Sequence, residues 1–99
     1  MTQPGSGGGV VKTITPSKTF ERQFKKLPQA IKDGIEGVFK DLLKDPRPLG
    51  LKFEKLKGYK NPDIYTVHIT GNYKLSFEID SCQAKLRRVG NHNEIDRRP

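Results

Sequence analysis

Residues 63–80 read DIYTVHITGNYKLSFEID, and their alternation decides the class of fold. Tyr65, Val67 and Ile69 alternate with Thr66, His68 and Thr70. Beyond Gly71 and Asn72, Tyr73, Leu75, Phe77 and Ile79 alternate with Lys74, Ser76, Glu78 and Asp80. A period of two on both sides of a tight turn predicts a hairpin of two half-buried strands. Each strand then offers one apolar face to a core. The other face, with His68, Lys74 and Ser76, is expected to lie open to water and to any ligand in it.

The preceding chain reads as the cover for the apolar face. Residues 10–15 are rich in β-branched side chains and predict a first strand, ended by Thr15-Pro16, with Ser17 as the N-cap of a helix. Phe20, Phe24 and Leu27 form one stripe of that helix, and Pro28 stops it and suits the first turn of the next. In the second helix Ile31, Ile35, Val38, Phe39, Leu42 and Leu43 form a broader stripe, interrupted by Gly34 and Gly37. Both glycines cost helix stability, so a close packing contact is expected at them. Asp45-Pro46-Arg47-Pro48 ends the helix, residues 51–57 (LKFEKLK) predict a strand, and residues 58–62 a turn or loop into the hairpin. Residues 83–89 predict a last strand whose alternation fails at Val89, a sign of a bulge near Arg88. The remainder, GNHNEIDRRP, reads as a polar tail. Residues 1–9, MTQPGSGGG, carry no core-forming side chains and read as a flexible tail before one domain spanning 10–99. The fold class is α+β: an antiparallel sheet with an N-terminal strand and a helical hairpin on one face, in the order β-α-α-β-β-β.

Ninety-nine residues suffice for one core in two layers and leave no room for extended catalytic machinery. The formal charge of +8, divided evenly between the two halves of the chain, favours a polyanion or an acidic protein as partner. A single cysteine, Cys82, excludes an intramolecular disulfide and a structural zinc site, and its place between two strands marks it as a turn or core thiol. There is no membrane-length apolar run and no secretion-signal core, so a cytoplasmic protein without membrane contact is expected.

Five phrases in this order carry a family resemblance: F-x-x-x-F-K-K-L-P at residues 20–28, D-P at 45–46, E-K-L-K-G at 54–58, G-N-Y-K-L-S-F at 71–77 and V-G-N-H-N-E-I at 89–95. Together, over residues 11–96, they resemble the RelE/ParE toxin superfamily, and in particular its RelE/YoeB-like branch. The resemblance implies a toxin of a type II toxin–antitoxin system, with a cognate antitoxin that wraps and blocks it. In the RelE branch the partners are the ribosome and mRNA, and the activity is an endoribonuclease (mRNA interferase) that needs no metal and no small-molecule cofactor. In the ParE branch the target is DNA gyrase. A degenerate member would keep only antitoxin binding.

Metal-free RNA cleavage sends the ribose 2′-hydroxyl against the adjacent phosphorus and expels the 5′-oxygen. It needs a base, an acid and cations around the phosphorane. By resemblance to YoeB-like members, Glu54 is the base. Lys74 stands where relatives carry an arginine for the phosphate, a point charge in place of a planar fork. His92 stands where relatives place a basic or imidazole group, and is the acid. His68, Lys85, Arg87 and Arg88 are the expected RNA and phosphate contacts. The common family ending H-x-E-x-Y is altered here, with Asp96 at the tyrosine position. That acid would repel RNA phosphates unless Arg97 and Arg98 neutralise it.

Overall fold

The computed structural model describes residues 10–45, 47–60 and 62–99. The expected tail at 1–9, Pro46 of the loop after the second helix and Asn61 of the turn before the hairpin lie outside the described residues. The elements run β1 (Thr13–Pro16), α1 (Lys18–Lys25), α2 (Gln29–Leu42), a single 3-10 turn (Leu49–Leu51), β2 (Glu54–Lys55), β3 (Tyr65–His68), β4 (Tyr73–Asp80), β5 (Gln83–Asn91) and α3 (His92–Arg97). They form an α+β fold around one sheet of order β1-β5-β4-β3-β2. The pairs β2–β3, β3–β4 and β4–β5 are antiparallel, and β1 joins the far edge parallel to β5.

The helices form where the apolar spacing requires them. Ser17 caps α1 by accepting a bond from the Phe20 amide at 3.0 Å, and its hydroxyl donates to the Arg87 carbonyl. Pro28 is the N-cap of α2 rather than a first-turn residue. Phe20, Ile35, Val38 and Leu42 are buried against Val67, Leu75, Phe77, Ala84, Leu86 and Val89 of β3, β4 and β5. Phe77, with no exposed surface, contributes about 1.5–3 kcal/mol by leaving water. Gln23 of α1 accepts from the Val89 amide at 2.9 Å, satisfying a backbone donor of β5 beyond the end of β1.

Several expectations need correction. The first strand begins at Thr13 rather than residue 10, because register with Gln83 through Leu86 decides where pairing starts. Strand structure in residues 51–57 shrinks to Glu54–Lys55. Leu51 closes the 3-10 turn, Lys52 turns through a left-handed conformation (φ 52°), and Phe53 docks on Tyr65 and Phe77 at 5.3 and 5.8 Å between ring centroids. β3 stops at His68, short of Ile69 and Thr70. The polar tail contains a helix, α3, opened by a reciprocal capping box between Asn91 and Glu94. The bulge lies where the broken alternation placed it. Phe77 pairs with Leu86 and Ser76 with Arg88, so Arg87 is the extra residue. Cys82 is an exposed turn residue with φ 67°, beside Ser81 at 53°, the left-handed pair that two-residue hairpins demand.

Only one of the two α2 glycines sits in a close contact. A Cβ on Gly34 would stand 3.1 Å from the Ile69 Cγ2, whereas one on Gly37 would meet nothing within 4 Å. Gly37→Ala is therefore expected to raise stability by about 1 kcal/mol through helix propensity. Gly34→Ala should lose most of that gain to the crowding of Ile69. Urea denaturation of the two variants checks this, and equal gains would show that the contact between α2 and Ile69 yields freely.

Candidate active site

The pleat that sends Leu75 and Phe77 towards the helices sends Lys74 and Ser76 to the opposite face of β4. Register places two rows of residues on that face. Glu54, Thr66, Ser76 and Arg88 lie in one row across β2, β3, β4 and β5, and His68, Lys74 and Gly90 lie in the next. His68 is the diagonal neighbour of Glu54, a separation of about 7–8 Å between backbones.

This face is not open to water, contrary to the expectation from alternation. Thr66 and Ser76 have no exposed surface, and the Lys74 side chain is 8% exposed. The cover is the segment that reads as a tail. α3 starts where the His92 amide donates to the Asn72 carbonyl at 3.0 Å and the Asn91–Glu94 box closes its first turn. A Cβ on Gly90 would stand 2.6 Å from the Glu94 Oε1, so glycine there leaves room for the carboxylate as the box holds it. Ile95 is then buried. Beyond it the Lys74 Nζ pairs with Asp96 at 2.7 Å, the Ser76 hydroxyl donates to the Pro99 main-chain oxygen at 2.7 Å, and the Arg87 Nε donates to the same oxygen at 3.1 Å. Asp96 is thus neutralised by Lys74. Arg97 and Arg98 instead line two clefts with Arg88.

His68 and His92 meet edge to face, with ring centroids 4.7 Å apart and planes at 86°. Desolvation first, then the neighbouring His92, Lys74 and Lys52, hold the His68 imidazole below its ordinary value of 6.5, with Glu54 opposing them. His68 is therefore neutral at pH 7. Two polar atoms here, the Thr66 Oγ1 and the His92 Nε2, are buried without a hydrogen-bond partner among the described residues.

Of the residues singled out from sequence, Glu54, His68, Lys74 and His92 therefore come together at one end of this face, Glu54 exposed at its edge. Arg88 joins the row of Ser76, and the bulge lets Arg87 reach the same side, where it also pairs with Glu78. Lys85 does not join them. It lies opposite Glu78, about 13 Å along the strand from Lys74, and pairs with Asp80 at 3.1 Å. That pairing holds the Asp80 carboxyl below its ordinary value, with a further bond from Ser81. The enclosure of Thr66 and Ser76 was not foreseen. The one signal for it was Asn91-x-x-Glu94 followed by Ile95, a capping box ahead of a lone apolar residue. Among the described residues no three His, Cys, Asp or Glu side chains could hold a metal ion, and no helix is long and apolar enough to cross a membrane.

A small mixed sheet with two helices packed on one face is a topology shared with a family of compact toxins. The chain is 30% identical to a chain of the RelB–RelE antitoxin–toxin complex from Methanococcus jannaschii, with 86% of this chain and 99% of that one covered and a TM-score of 0.63. The chain belongs to the RelE/ParE toxin superfamily. It shares its fold with YafQ from E. coli (15% identity, 85% and 97% coverage, TM-score 0.70). It also shares it with the archaeal RelE–RelB complex from Pyrococcus horikoshii (18% identity, 83% and 96% coverage, TM-score 0.67). No protein-family model and no curated protein sequence matches the chain.

The lowered His68 affinity for protons has a thermodynamic consequence. The unfolded chain takes up a proton near pH 6.5 while the folded one resists, so stability falls as pH drops through about 6.5 and is regained above it. Urea midpoints measured at about pH 5.5 and about pH 7.5 should differ more in the wild type than in His68→Gln. Identical differences would show that His68 titrates as it does in the unfolded chain.

Proposed function

We propose that the chain is the toxin of a type II toxin–antitoxin pair and cleaves mRNA on the ribosome without a metal ion. The reading rests on His68 packed against His92, beside Lys74 and within a strand of Glu54. In the reaction the 2′-oxygen bonds to phosphorus as the bond to the 5′-oxygen breaks, leaving a cyclic phosphate and a 5′-hydroxyl. Glu54 takes the 2′-hydroxyl proton, at the exposed edge where an RNA strand can enter. His92 returns a proton to the departing 5′-oxygen. The Lys74 ammonium stabilises the extra negative charge of the phosphorane, and its enclosure strengthens that interaction. Neutral His68 orients His92 and accepts a hydrogen bond from the ribose. Arg88, which lines both flanking clefts, holds a neighbouring phosphate.

The partner in the cell is a cognate antitoxin, and the site of action is the cytoplasm. A groove of about 570 Å³ lined by Ile14, Pro16, Phe20, Phe24, Phe39 and Leu86 offers apolar side chains of such a partner a place to pack, on the helical side of the sheet. The charge of +8 suits an acidic partner.

Primer extension on transcripts after brief induction tests the reading. New 5′ ends inside translated frames are expected from the wild type. Glu54→Ala and His92→Ala should each lower cleavage by about 10²–10⁴-fold, and Lys74→Ala by about 10²–10³-fold. Growth arrest with intact transcripts would instead indicate a gyrase-type protein target. Intact transcripts with normal growth would indicate a member that only binds its antitoxin.

A further inference from the structure

The contacts between the covered face and the end of the chain share one chemistry. Three donors of the sheet, the Lys74 Nζ, the Ser76 Oγ and the Arg87 Nε, each receive an oxygen from residues 96–99, at 2.7, 2.7 and 3.1 Å. One acceptor is a carboxylate oxygen and the other a main-chain oxygen. An ammonium, a hydroxyl and a guanidinium are also the donors that hold the two non-bridging oxygens of a phosphodiester.

The pair at the centre is asymmetric. The Lys74 side chain is 8% exposed and that of Asp96 is 57% exposed. A structural buried ion pair encloses both charges, because either one left alone is costly. Here the cation is built into the sheet, while the anion reaches it from a segment whose Asp96, Arg97 and Arg98 are exposed and of which only Pro99 is buried. Ile95 and the capping box anchor α3 up to residue 95. Beyond them, Asp96 and Pro99 are held to the sheet by the three polar contacts. The closed arrangement also leaves the Thr66 Oγ1, in register with Ser76, buried without a partner among the described residues. An unsatisfied buried group of this kind is costly, and a ligand bearing more oxygens would satisfy it.

We propose that Lys74, Ser76 and Arg87 form a phosphodiester site that the chain keeps closed with its own residues 96–99. Asp96 occupies the place of a phosphate oxygen, and an RNA strand must displace the segment to bind. The proposal builds on the RNA-cleaving reading and adds to it Ser76 as a phosphate ligand and Asp96 as an internal competitor. The free toxin is then a weak binder of RNA, and whatever lifts residues 96–99 switches it on.

The test uses a fluorescent single-stranded RNA oligonucleotide fully 2′-O-methylated, which binds but has no 2′-hydroxyl with which to be cut. Its affinity is read by anisotropy for the wild type, Asp96→Asn, Asp96→Glu and Asp96→Asn combined with Ser76→Ala. Removing the competing charge should tighten binding about fivefold, the equivalent of about 1 kcal/mol for a half-exposed ion pair. Asp96→Glu should stay near the wild type, and Ser76→Ala should cancel much of the gain. Hydrogen exchange of the amides of residues 96–98 should speed up when the oligonucleotide binds the wild type. Equal affinity in the wild type and Asp96→Asn, with unchanged exchange, would overturn the proposal. Tightening by Asp96→Asn without new RNA ends in cells would uphold the closed phosphate site and remove only the nuclease reading.

Discussion

The pleat of β4 is the constraint on which the rest of the molecule depends. Leu75 and Phe77 are drawn under the helices by the free energy of leaving water, and successive side chains of a strand must point to opposite faces. Lys74 and Ser76 consequently have no choice of side. Burying the apolar half of the hairpin and assembling the polar half are one event. Leu86 and Val89 of β5 both face the helices only because Arg87 bulges between them, and the same bulge delivers two consecutive arginines to the polar side.

The second layer over that polar side follows from local chemistry rather than from a further hydrophobic core. The Asn91–Glu94 box satisfies the first amides of α3, Gly90 leaves room for the Glu94 carboxylate, and Ile95 supplies one apolar anchor. Past Ile95 the segment is held to the sheet by polar contacts to Lys74, Ser76 and Arg87 and by the burial of Pro99. Such contacts exchange readily for equivalent ones from a ligand, whereas the packing of Phe20, Ile35 and Leu42 against the sheet does not. The two sides of the sheet thus differ in kind: one is a fixed core and the other a replaceable polar seal. The polar side brings together a neutral histidine, an enclosed ammonium and an imidazole whose Nε2 has no partner among the described residues.

Much of this was legible from residue order alone, for reasons that are local. Alternation over residues 63–80 located β3 and β4, the stripes of Phe20, Phe24 and Leu27 and of Ile31 through Leu43 located α1 and α2, although Leu27 and the exposed Leu43 fall just past the helix ends, and Ser17 and Pro28 marked their starts. The failed alternation at Val89 revealed the bulge. The five family phrases named the superfamily to which the chain belongs. Less was legible where long-range pairing competes with local preference. β2 is two residues long because Phe53 docks on Tyr65 and Phe77, and no local signal in LKFEKLK reports that docking.

The sequence by itself determined which residues alternate, which stripes are apolar, and therefore the α+β class and the shared face of His68, Lys74 and Ser76, since these depend on neighbours within a few positions. Only the tertiary structure decided that this face is closed, that Asp96 answers Lys74 rather than Arg97 or Arg98, and that His68 touches His92 while Lys85 is occupied by Asp80. Those contacts join residues 22 and 24 positions apart along the chain, or depend on what else reaches the sheet first. Charge and spacing say which side chains can pair. The folded chain, by bringing residues 96–99 back across β4, says which ones do.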